Sequence, residues 1–154
     1  DLKPQNLFVQ QGDVLKIGDF GLSRSQCDRR DGERGKVGTP AYCAPEGGAK
    51  AGCSADIFSA ALIILELLCP PFSTSMERAQ VLEALRERGE LPAHVDRVLP
   101  EHGALLRRMV SRCPDDRPTA EEVYAELKRL GEFGPPISPS AEASSLSTQS
   151  SGHI

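Results

Sequence analysis

Asp1, Lys3, Asn6 and Asp19 are the residues of this chain whose types and spacing could do chemistry together. They offer two carboxylates, an ammonium and an amide. That set is a kit for phosphoryl transfer. The reaction asks little covalent work of a protein. It needs a positioned hydroxyl, a proton acceptor and divalent metal to absorb phosphate charge. Carboxylate and amide oxygens are the hard ligands that magnesium prefers.

The kit needs elements to hold it. Leu7–Val9 and Val14–Ile17 are short apolar runs around Gln-Gln-Gly-Asp, which predicts a β-hairpin between Asn6 and Asp19. Residues Arg24 to Lys36 are polar, without apolar periodicity, and read as a mobile loop. Ala55 to Leu68 reads as a helix buried on most sides. Its apolar run, Ile57 to Cys69, is broken by Ser59 and Glu66 and falls short of the about 20 residues that span a bilayer. Pro70 and Pro71 stop it.

Thr74-x-x-Glu77 has capping-box spacing and starts a second helix, ending at Gly89. Met76, Ala79, Leu82 and Leu85 form its apolar side; Glu77, Arg78, Glu83, Arg86, Glu87 and Arg88 form its charged side. A third helix is expected over His102 to Arg112. Thr119-x-x-Glu122 after Pro118 opens a fourth, with Ala120, Val123, Leu127 and Leu130 in one stripe. Lys128 and Arg129 suit its negative end, and Gly131 its stop. From residue 131 to 154 the composition turns to Gly, Pro, Ser, Ala and Thr, which predicts a disordered tail.

The 154 residues leave room for one domain, with 39% apolar and 26% charged residues. The net charge of -4 argues against nonspecific nucleic-acid binding. The five cysteines form no Cys-x-x-Cys pair, so metal-site spacing is absent. Reduced, mostly buried thiols in a cytosolic protein are expected. The three histidines are isolated and suggest no ligand set.

Asp1-Leu-Lys3-Pro4-Gln-Asn6, the hairpin and Asp19-Phe20-Gly21 together resemble the catalytic loop and metal-binding segment of the eukaryotic protein kinases. Further landmarks follow in that family's order: Gly38-Thr39-Pro-Ala-Tyr42-Cys-Ala44-Pro45-Glu46, then Asp56-Ile-Phe-Ser59, then Arg117. The resemblance covers residues 1–130. It implies a mainly α fold with a short β-hairpin, the C-terminal lobe of the kinase fold. The N-terminal lobe, with the Gly-rich loop and the nucleotide-binding lysine, is expected upstream. This chain by itself is therefore expected to be inactive.

The resemblance also assigns roles by position. Asp1 would accept the proton of the substrate hydroxyl, and Lys3 would neutralise charge on the transferred group of ATP. Asn6 and Asp19 would hold magnesium. Phe8 would belong to the apolar floor under the adenine. Thr39 matches the activation-segment threonine that touches the catalytic Asp and Lys, and Arg34 stands where the nearest branch has a phosphorylatable threonine. Glu46 would form a structural ion pair with Arg117, and Asp56 would hydrogen-bond the catalytic-loop backbone. Lys3 resembles the serine/threonine class.

Pro71-Phe72-Ser-Thr74-Ser-Met76-Glu77-Arg78, with Val81, Leu82, Leu85 and Leu91-Pro92, resembles the kinases of the alpha subunit of eukaryotic translation initiation factor 2. In that branch this helix docks the substrate, which would make Thr74, Glu77 and Arg78 docking residues. Met76, Leu82 and Leu85 are expected to pack against the lobe. The implied protein is a cytoplasmic serine/threonine kinase acting on a translation factor, with dimerisation through the missing lobe. No membrane or direct nucleic-acid partner is expected. Two alternatives stand beside it: a noncatalytic lobe that docks substrate without phosphorylating it, and a serine/threonine kinase of another branch.

Overall fold

The computed structural model describes residues 1–11, 14–22, 41–47 and 52–131. Thr39, Cys27, the expected loop at 24–36 and the expected tail from residue 132 lie outside them. The described part is mostly helical, with one two-stranded antiparallel sheet.

β1 (Leu7–Gln10) and β2 (Val14–Ile17) pair with Leu7 opposite Ile17 and Phe8 opposite Lys16. The Gly18 amide then donates to the Asn6 carbonyl at 2.9 Å, extending the pairing by one step. The hairpin therefore places Asp19 beside Asn6 despite the sequence between them. Phe8, Val9, Leu15, Ile17 and Phe20 are exposed, so this end of the molecule presents an apolar surface.

Five α-helices follow among the described residues: α1 (Cys53–Leu68), α2 (Ser75–Glu83), α3 (Ala93–Val98), α4 (Pro100–Met109) and α5 (Ala120–Leu130). α1 is the axis of the core. Phe58, Ala61, Leu62 and Leu65 have no accessible surface, and buried residues lie around most of its circumference. A helix buried that way shows no single apolar stripe, which is why its run of apolar residues is nearly continuous. Leu105, Leu106 and Met109 of α4 pack in the same core, with Leu82, Leu85, Val95 and Val123.

The capping signals act as expected. Thr119 Oγ1 accepts from the Glu122 amide at 3.2 Å, and Glu122 Oε2 accepts from the Thr119 amide at 2.8 Å. Thr74 Oγ1 accepts from the Glu77 amide at 3.1 Å, but the Glu77 carboxylate accepts from Ser73, one residue further back. Each arrangement satisfies donors that a helix start would otherwise leave open. α2 continues through a π-helical turn, Ala84–Arg88, to Gly89, whose φ of 67° ends it in the left-handed region. That conformation suits glycine.

Three expectations need correction. The third helix begins at Pro100 rather than His102 and ends at Met109, and an unexpected short helix, α3, precedes it. Pro100 at the first helical position fixes the start, a placement proline favours because its missing N–H costs nothing there. Beyond Met109 the chain turns, and the Ser111 carbonyl accepts a hydrogen bond from Arg117 Nε at 2.8 Å instead of continuing the helix. Met76 does not pack against the lobe; it is 68% exposed. The thiols are not mostly buried: among the described cysteines Cys69 is buried, Cys43 is intermediate, and Cys53 and Cys113 are exposed.

Candidate active site

Asp1, Lys3 and Asn6 come together because Pro4–Asn6 forms a single 3-10 turn, with Pro4 at its first position. The turn brings Lys3 Nζ to 2.6 Å from Asp1 Oδ2. Asn6, buried at the base, donates from Nδ2 to the Asp1 carbonyl at 2.9 Å. That bond braces the loop and leaves the Asn6 amide oxygen as its remaining ligand atom.

Asp19 enters from the other arm of the hairpin. Its φ of 56° makes it the non-glycine residue with positive φ among the described residues. Asp tolerates this conformation better than most residues, at a cost of about 1 kcal/mol or more. A cavity of about 180 Å³ is lined by Asp1, Leu2, Ile17, Gly18, Asp19, Phe20 and Asp56. The two carboxylates from opposite ends of the hairpin thus share one cleft. Phe8 is 56% exposed on β1, and its ring lies over Gly18, where an added Cβ would come within 2.7 Å of Phe8 Cε2. A side chain at position 18 would displace the ring.

Asp56 corrects one expectation. It lines the cleft from the first turn of α1, but no hydrogen bond joins it to the 1–6 backbone among the described residues. An exposed carboxylate at a helix start gains from the helix dipole and does not need that bond.

Glu46 and Arg117 meet as the resemblance implied. The guanidinium approaches both carboxylate oxygens, at 2.6 and 2.8 Å. Arg117 also donates to the carbonyls of Ser54 and Ser111, and it stands over the Phe58 ring at 5.0 Å. Its side chain is fully buried. The hydrogen bond from Arg117 holds the Glu46 carboxyl below its ordinary range, against the opposing effect of burial.

Thr74 and Glu77 lie exposed on the first turn of α2, with Met76 beside them. Arg78, expected with them as a docking residue, turns its guanidinium inward. Nε donates to Glu66 Oε1 at 3.0 Å, and Nη2 donates to Glu66 Oε2 and to the Tyr42 hydroxyl. Sequence reasoning missed both Tyr42 and Glu66. The one available signal was a glutamate interrupting the apolar run of α1.

The chemistry of the donor set can be weighed for a metal. Among the described residues no group of three or more His, Cys, Asp or Glu side chains could hold a resident ion. One carboxylate and one amide oxygen instead fit magnesium that arrives with phosphate and keeps several waters. No helix among the described residues is long and apolar enough to cross a membrane.

Residues 1–127 match the family described as protein kinase domain. The chain is 38% identical to the eukaryotic translation initiation factor 2-alpha kinase PK4 of Plasmodium falciparum, over 84% of this chain and 14% of that protein. It is 37% identical to the eIF-2-alpha kinase GCN2 of Arabidopsis thaliana, over 80% of this chain and 11% of the relative. It is also 38% identical to the serine/threonine-protein kinase PLK1 of Xenopus laevis, over 80% of this chain and 21% of the relative. The chain thus spans a minor part of each of these relatives.

Proposed function

Since this chain belongs to the protein kinase family, we propose that residues 1–130 form the C-terminal lobe of a serine/threonine kinase that phosphorylates the alpha subunit of translation initiation factor 2 in the cytosol. The observation that carries the proposal is that one loop gathers Asp1, Lys3 and Asn6 while Asp1 and Asp19 line one cleft. The reaction breaks the bond between the β,γ-bridging oxygen and the γ-phosphorus of ATP. It forms a bond from that phosphorus to a serine or threonine oxygen, and the hydroxyl proton passes to Asp1.

Each residue has work suited to its place. Asp1, whose carboxylate lies 2.6 Å from the Lys3 ammonium, would accept the hydroxyl proton. Lys3 also offers positive charge to the phosphoryl group. Asn6 and Asp19 would hold magnesium, which neutralises phosphate charge when bound. Phe8, exposed next to this site, would give the adenine an apolar floor. The exposed hairpin surface is where an N-terminal lobe would pack.

Substrate choice is assigned to the first turn of α2. A short peptide reaches only the cleft, whereas a folded protein can also touch Thr74, Glu77 and the exposed Met76. The double variant Thr74→Ala, Glu77→Lys in the full-length kinase should lower kcat/KM on intact initiation factor 2 alpha by roughly ten- to hundredfold, the size of a well-packed contact. Activity on a short serine peptide should stay nearly unchanged. Thr74 caps α2, so a melting curve must accompany the kinetics; loss of a cap costs about 1 kcal/mol. Equal losses on both substrates in a well-folded variant would remove the support for docking.

A further inference from the structure

Residues 73–80 bridge the end of α1 to the packed part of α2, and all of them except Arg78 are exposed. The apolar anchors lie on either side: Phe72 before, Val81, Leu82 and Leu85 after. Among the described residues, the first turn of α2 therefore has one polar side-chain attachment to the elements around it. Arg78 provides it through Glu66 and the Tyr42 hydroxyl, with its guanidinium 5.7 Å from the centre of the Tyr42 ring.

The far side of that attachment is anchored in the core. Tyr42 is 3% exposed, and its hydroxyl donates to Glu66 Oε1 at 2.5 Å. Burial first, and the Glu66 carboxylate next, raise its pKa and keep the phenol a donor. The buried Ser59 hydroxyl donates to the Tyr42 carbonyl at 2.8 Å. Four residues later Glu46 is held by Arg117. Ser59 and Glu66 both belong to α1, whose first turn carries Asp56 to the cleft of Asp1 and Asp19. From Asp56 to Glu66 the helix advances roughly 15 Å, at 1.5 Å per residue.

We propose that Tyr42, Glu66 and Arg78 are positioning residues that fix the first turn of α2 at a set distance from the catalytic cleft, with α1 as the ruler. The consequence is specificity. A folded substrate held by α2 presents its hydroxyl to Asp1 only if that distance is fixed, while a free peptide has no such requirement. This rests on the docking reading above.

Two measurements separate the proposal from that reading. Arg78→Ala alone would leave the Glu66 carboxylate without its ionic partner, so the working variant is Arg78→Gln with Glu66→Gln; Tyr42→Phe is the milder second variant, keeping the ring. In the chain itself, amide hydrogen exchange at residues 75–79 should rise about tenfold in the double variant, with exchange in α4 and α5 unchanged. In the full-length kinase, kcat/KM for intact initiation factor 2 alpha should fall by about tenfold, with kcat lowered because the docked hydroxyl is presented less often, while peptide kinetics hold within about twofold. Tyr42→Phe should shift both readouts in the same direction by less. Unchanged exchange at 75–79 overturns the clamp itself. Faster exchange with unchanged kcat/KM for the folded substrate overturns its role in specificity. Should the unmodified kinase prefer the peptide to the folded protein, the docking reading fails, and the exchange result still decides whether the clamp exists.

Discussion

Asp1→Asn in the full-length kinase lowers kcat by roughly a hundred- to ten-thousandfold, the usual worth of a positioned proton acceptor. The amide is isosteric and cannot take the hydroxyl proton. The ion pair with Lys3 is lost as well, but Lys3 is partly exposed, and such pairs contribute about 1 kcal/mol or less. The fold therefore survives, and ATP affinity should stay within about twofold because Asp1 holds no metal. Asp19→Asn fails by another route. It removes the carboxylate ligand, so both turnover and magnesium-dependent ATP binding should fall. Steady-state kinetics and nucleotide titration at varied magnesium distinguish the two. Near-normal turnover in either variant, or identical defects in both, would contradict the assigned roles.

Arg117→Met should destabilise the chain by about 3–5 kcal/mol, the cost of stranding a partner of a buried ion pair. The loss is compounded by the Ser54 and Ser111 carbonyls, which also accept from Arg117. Domains of this size are stable by only about 5–15 kcal/mol. A drop of about 6–20 °C in melting temperature is expected, since each kcal/mol is worth about 2–4 °C at this chain length. Adding Glu46→Leu to Arg117→Met should recover part of the loss, because no charge is then left buried. A melting temperature within about two degrees of the parent for Arg117→Met alone would show that the pair carries no such burden.

The same pair sets a pH dependence. The carboxyl of Glu46 is depressed in the folded state by the Arg117 hydrogen bond from an ordinary value of 4.5. Its contribution is therefore fully present above that value. It is lost as pH falls below 4.5 toward the lower folded value, where the native state must also take up the proton. Denaturant unfolding between neutral and acid pH should show a stability decline in the parent that is shallower in Glu46→Leu, Arg117→Met. Equal acid slopes in the two would remove Glu46 from the account.

Much of this protein was readable from sequence where the physics is local. The turn that gathers Asp1, Lys3 and Asn6 spans six residues, and proline sets its backbone. Capping by Thr74 and Thr119 depends on a hydroxyl and an amide three residues apart. The hairpin register follows from two apolar runs and a turn, and register alone carries Asp19 back to Asn6. Glu46 and Arg117, 71 residues apart, were paired through family resemblance, since nothing in their spacing joins them. Tertiary structure alone decided the fate of Arg78, Tyr42 and Glu66. Periodicity placed Arg78 on the charged side of α2, which is correct for the helix and silent about what that side faces. How α2 leans on α1, and where residue 42 passes beneath both, puts a carboxylate and a phenol within reach of one guanidinium. Met76 shows the converse: its apolar type and helical spacing suggested packing, but among the described residues nothing covers the side of the first turn it occupies. Sequence patterns report the backbone's local preferences, whereas half-buried charges find their partners through helix packing, which brings together residues 12 to 36 positions apart.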